Sequence, residues 1–122
     1  MNSSTERSAP VVNRDELIDR MMGSIPMAER MLKRFVDTAN ADFDLMESTV
    51  RLGDKPAIAS LAHRHKGTAQ TMAIPRVAQC AAELEQRAHT DPTSKLLAIL
   101  GEMRMLHDEV RQVQQLGLAN LI

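Results

Sequence analysis

The chain has 122 residues, 43% hydrophobic and 25% charged, with a formal net charge of -1, which suits one globular domain with a modest core. That charge excludes binding driven by nucleic-acid phosphates, and with no Trp, no Tyr and only Phe35 and Phe43 there is no base-stacking platform. The single Cys80 excludes an internal disulfide and fits a reducing, cytoplasmic setting, and no apolar run approaches a membrane span or a signal-peptide core, so no direct membrane contact is expected.

Residues 1–12 are polar at first and contain Pro10, so they read as a flexible leader, with the folded domain over 13–122. Asn13-Arg14-Asp15-Glu16 is a capping-box-like start for a short helix that turns Leu17, Ile18, Met21 and Met22 inward and ends at Gly23 and Ser24. Pro26 opens a long helix with Ala28, Met31, Leu32, Phe35, Ala39, Phe43, Met46 and Val50 at three- and four-residue intervals. Gly53 stops it, Asp54 caps the next helix, and Pro56 falls in that helix's first turn. This third helix ends near Ala73, because Pro75 restricts Ile74 and starts a fourth helix running to about His89, with Val77, Cys80, Ala81, Leu84 and Ala88 inward. Asp91-Pro92 reads as cap and first position of a last helix, which presents Leu96, Ile99, Leu100, Met103, Leu106, Val110 and Val113 to the core and ends at Gly117. His89 and His107 read as surface residues, and the apolar tail 118–122 either folds back or frays. The fold class is all-α: an antiparallel four-helix bundle with a short additional N-terminal helix over one end. The nine methionines suit an aliphatic, adaptable core better than a binding groove.

The third helix carries the chemistry. At about 100° of rotation per residue, Ala59, Lys66, Gly67 and Gln70 fall within about 60° of His63. Ile58, Leu61, Ala62, Ala69 and Met72 cluster on the opposite side. His63 therefore points to water. His65, roughly 200° away, lies in the apolar stripe and reads as a packed, hydrogen-bonded residue. Glycine inside a helix costs about 1 kcal/mol relative to alanine; Gly67, one turn after His63, uncovers the imidazole edge for another protein. Neutral imidazole is a nucleophile near neutral pH. Lys66 offers a cation for phosphoryl oxygens, and the Gln70 amide can donate to the imidazole or to an oxygen.

Ala62-His63-Arg64-His65-Lys66-Gly67-Thr68-Ala69 resembles the signature of histidine-containing phosphotransfer (HPt) domains, roughly Ala-His-x-Leu-Lys-Gly-Ser/Thr-Ala, and Cys80-Ala81-Ala82-Glu83-Leu84-Glu85 resembles the family's Cys-x-x-Leu-Glu segment on the next helix. The two motifs span about residues 57–88. The resemblance makes His63 the phosphoacceptor and maps the family's lysine and glycine onto Lys66 and Gly67. His65 stands where the family has leucine, and Met72-Ala73-Ile74 replaces a more usual Leu-Gly-Ala turn. The implied function is a phosphorelay intermediate: a receiver domain's aspartyl phosphate passes to His63 and then to a second receiver, the receivers supplying the divalent metal and this chain no cofactor. Arg64 and Arg76 would steer an acidic receiver, and Ala59 and Ile74 would be exposed docking residues beside His63.

Other chemistries fit less well. His63 and His65 face apart and cannot share one metal ion, and no paired Glu-x-x-His is present. There is no Gly-rich phosphate loop, so the chain is not a kinase by itself, although it could belong to a larger sensor kinase. The alternative of another class is a helical docking or dimerisation domain without phosphotransfer, which would tolerate loss of His63.

Overall fold

The first three helices start where a side chain accepts from a free backbone amide. In the computed structural model, which describes residues 10–120, the Asn13 side chain accepts from the Glu16 amide and starts α1, Arg14–Arg20. Ser24 accepts from Met27 N and starts α2, Ile25–Leu52, with Pro26 in its first turn. Gly53, at φ 76°, closes α2 in the left-handed region that glycine enters freely. The Asp54 carboxylate accepts from Ala57 N and starts α3, Lys55–Thr71. After Met72 and Ala73, α4 runs Pro75–Arg87, α5 runs Thr93–Leu116, and a single 3-10 turn covers Leu118–Asn120.

α2 packs on α3 and α5, and α4 packs on α3 and α5, closing a ring of four. Pairs across the seams run in opposite order along neighbouring helices: Lys55 with His89 and His63 with Glu85, Arg76 with Glu109 and Cys80 with Ile99. α2 and α5 follow suit, with Val36 against His107 and Arg104 against Asp44 and Glu47. The result is the expected antiparallel four-helix bundle, with α1 docked on one end. Its core includes Leu17, Leu32, Phe43, Met46, Ile58, Ile74, Leu84, Leu100 and Met103, all fully buried; each such side chain contributes about 1.5–3 kcal/mol of transfer free energy.

Several expectations need correction. The leader assigned to 1–12 ends earlier than expected: Val11 and Val12 are buried in the core and Asn13 N bonds the Ala73 carbonyl at 2.8 Å. Residues 1–9 of that leader lie outside the described residues. Met22 is 96% exposed rather than inward, because α1 ends at Arg20 and Met22 sits in the tight turn to α2 at φ 57°. α3 stops at Thr71, and Ala73 takes the left-handed turn position at φ 57°. Asp91 does not cap α5; its carboxylate is engaged by Arg87 and Thr90, and the helix begins two residues later. The tail folds back: Leu118 is fully buried, its N–H donating to Glu29 and its carbonyl accepting from Arg14 Nε. Residues 121–122 of that tail lie outside the described residues.

His107 is 1% exposed, not a surface residue. With His65 it lies between Phe35 and Phe43, the four histidine–phenylalanine ring separations running from 5.1 to 5.9 Å. One His107 nitrogen meets the Val36 carbonyl at 3.2 Å, while His107 Nδ1 and His65 Nε2 have no partner among the described residues. Burial holds the His65 pKa down at about 4, the nearby Asp42 carboxylate opposing only in part, and burial lowers that of His107 too.

Candidate functional site

α3 presents its two histidines to different media. His63 is exposed, its side chain at 67% of full accessibility, while His65 is buried. On the α4 side of His63, Lys66 projects toward Glu85, in the last turn of α4. The Glu85 carboxylate spans the gap: Oε2 lies 2.9 Å from His63 Nδ1 and Oε1 lies 2.9 Å from Lys66 Nζ. The Lys66 ammonium, with a smaller contribution from His63, holds the Glu85 carboxyl below the usual carboxylate range. An ionised carboxylate can only accept, so Nδ1 carries the ring proton and donates it. In the neutral ring the lone pair is then left on Nε2, which has no hydrogen-bond partner among the described residues.

The α2 side of His63 is built differently. Gly67, Thr68 and Thr71 follow His63 along an open edge, and with Met31, Arg64 and Met72 they line a shallow groove of about 490 Å³. A Cβ placed on Gly67 would meet nothing within 4 Å. The glycine therefore does not relieve crowding inside this chain, and the room lies on its outer side.

The remaining site candidates divide. Gln70 is exposed on the His63 face, but seven residues of helix carry it about 10 Å along the axis. Its amide makes no bond to the imidazole; its backbone carbonyl accepts from Arg20, and Glu85 holds the ring instead. Arg64 is exposed, whereas Arg76 is half-buried and 3.5 Å from Glu109. Two docking candidates are corrected. Ile74, which follows the left-handed Ala73, is fully buried in the core, and Ala59 is half-buried against it. Cys80 is a core residue whose thiol burial pushes up to about 12.

Glu85 is the residue that local reading missed. It stands 19 and 22 positions from its partners, beyond any spacing within one helix. It did lie at the end of the Cys80–Glu85 segment, so the signal was present without the pairing. Among the described residues no group of His, Cys, Asp and Glu could hold a metal ion, and no helix is long and apolar enough to cross a membrane.

No curated protein and no solved structure matches the chain. A family model does, that of the Hpt domain, over residues 30–116, which takes in most of α2 and all of α3, α4 and α5, with His63, Lys66, Gly67 and Glu85. The chain belongs to the Hpt domain family.

Proposed function

We propose that the chain is a phosphorelay intermediate in two-component signal transduction, with His63 as the residue that takes and returns the phosphoryl group. Hpt domains interact with receiver domains in phosphorelays. The observation that carries the assignment to His63 is the 2.9 Å contact of its Nδ1 with Glu85, on an imidazole otherwise open to solvent.

In this reading Nε2 attacks the phosphorus of a receiver's aspartyl phosphate. The P–N bond forms as the P–O bond to the aspartate breaks, and the carboxylate leaves with the bonding pair. The proton on Nδ1 stays in place. The phosphorylated ring then carries positive charge beside an anionic Glu85, which lowers the cost of forming it. Lys66 keeps that carboxylate ionised and aimed, and its remaining N–H bonds are available to the phosphoryl oxygens. Transfer to a second receiver is the same step reversed. The receivers supply the divalent metal and acidic pocket, and this chain supplies position.

The test is transfer from a phosphorylated receiver, with the product checked for the acid lability of phosphohistidine. His63→Gln is expected to stay folded and take no label, and His65→Leu to be labelled. Label retained by His63→Gln but lost in His65→Leu would overturn the assignment; no acid-labile product at all would favour a docking domain without phosphochemistry.

A further inference from the structure

His65 stands where the family motif has a leucine, and the exchange puts a titratable ring at a boundary. On one side the imidazole packs against Phe35 and Phe43, at ring separations of 5.7 and 5.1 Å. On the other it walls a small cleft between α2 and α3, about 70 Å³, with Asp42, Met46, Leu61, Arg64 and Thr68. A buried water takes about 30 Å³, so the cleft has room for a polar ring edge and little more. The Asp42 side chain reaches solvent from this cleft, and its Oδ2 lies 3.9 Å from His65 Nδ1. That is close enough to orient the ring and too far for a hydrogen bond.

The proton inventory of the neutral ring makes this arrangement sensitive to acid. A carboxylate only accepts, so Asp42 favours the ring proton on Nδ1 and leaves the lone pair on Nε2. Nε2 is the buried nitrogen with no partner among the described residues. A second proton would land there, creating a buried cation beside two phenylalanines with no oxygen to receive its N–H. The charges around it point one way. His107, which shares both phenylalanines from α5, and Arg64 on α3 both oppose a positive ring, and Arg104 of α5 already lies over the Phe43 ring at 5.5 Å. Asp42 of α2 is the group that favours it. Burial outweighs Asp42 and holds the His65 pKa at about 4.

We infer that His65 is an acid-triggered switch: on taking its second proton the ring leaves Phe35 and Phe43, turns into the α2–α3 cleft and pairs with Asp42, opening the seam between those two helices. The neutral ring keeps that seam shut. The proton comes from solvent, and no covalent bond other than the N–H forms. A leucine at this position would give the seam no such response. The α4 seam has its own tie, Glu85 to Lys66 and His63, so the opening is one-sided.

NMR of the chain between pH 7 and pH 3.5 tests this, with circular dichroism following helix content. As His65 titrates, its ring protons are expected to lose their NOEs to Phe43 and to gain NOEs to Leu61 or Thr68, with helix content retained. Amide exchange at Ala62 and Ala69, corrected for pH, is expected to rise about tenfold more than at Val77 and Leu84. Asp42→Asn keeps the shape and removes the receiving charge, so the Phe43 contacts are expected to persist to a pH lower by about half a unit or more. His65→Leu is expected to show no acid step in exchange. NOEs to Phe43 that survive the titration of His65, as they would if His107 Nδ1 accepted the new N–H, would overturn the inference. So would loss of helix in step with that titration, or an Asp42→Asn chain that behaves like the unmodified one.

Discussion

Glu85 serves two partners with one carboxylate, and its removal should show in two independent measurements. Without an acceptor at Nδ1 the imidazole is free to adopt the other tautomer, which places the proton on Nε2, the nitrogen proposed to attack. Glu85→Ala is expected to shift the His63 15N resonances toward that tautomer and to slow receiver-dependent transfer by about tenfold or more. Glu85→Gln keeps an acceptor oxygen but loses the charge, so the tautomer should hold while the rate still falls. Gly67 makes a prediction of opposite sign for stability and function. A methyl there touches nothing in this chain, so Gly67→Ala should gain about 1 kcal/mol in urea unfolding from helix propensity. In the proposed relay that methyl would face the partner, so the KM for transfer should rise.

Among the elements, α3 combines an exposed reactive face with a buried face that is more polar than packing requires. His65 sits where the family motif has leucine, with Nε2 lacking a partner among the described residues. His65→Leu removes a buried ring with an unpartnered nitrogen and is expected to raise stability at pH 5 by more than at pH 7, read from urea midpoints. Ala73, just past the end of α3, pays for its left-handed conformation. Ala73→Gly relieves about 1 kcal/mol of that penalty, partly offset by the greater freedom of the unfolded chain, so a small net rise in midpoint is expected. Neither change touches His63, Lys66 or Glu85, and transfer should persist in both.

For the whole molecule, acid is the condition that separates folded from unfolded. The folded-state pKa of His65 is depressed to about 4 from the ordinary histidine value of 6.5. The unfolded chain therefore binds a proton that the folded chain refuses across that interval. The stability His65 permits is complete above 6.5 and falls as pH drops toward 4, by roughly 3 kcal/mol over the full interval. His107 acts in the same direction. Urea unfolding at pH 7 and pH 5 should show the loss, and His65→Leu should flatten it by that residue's share. The N-terminal segment before the family match matters at this scale too. Val12 is buried, Asn13 N holds the Ala73 carbonyl, and Arg20 holds that of Gln70. Val12→Asp would bury a carboxyl with the core and should cost about 3 kcal/mol or more.

The helix limits at Asn13, Gly53 and Asp54 were legible because their causes are local. Asn13, Asp54 and Gly53 act on backbone groups within four residues, and a 3.6-residue repeat told His63 from His65 without any tertiary information. The motif around His63 was legible for the same reason, being one stretch of one helix. What only the packed bundle decided involves groups far apart in the chain. The burial of Val11, Val12 and His107, the inward turn of Ile74 and the fold-back of Leu118 depend on which surfaces other helices happen to cover. The joining of Glu85 to His63 and Lys66 depends on the register of α4 against α3. Periodicity says which way a side chain points relative to its own axis; only the placement of a second axis says what it meets there.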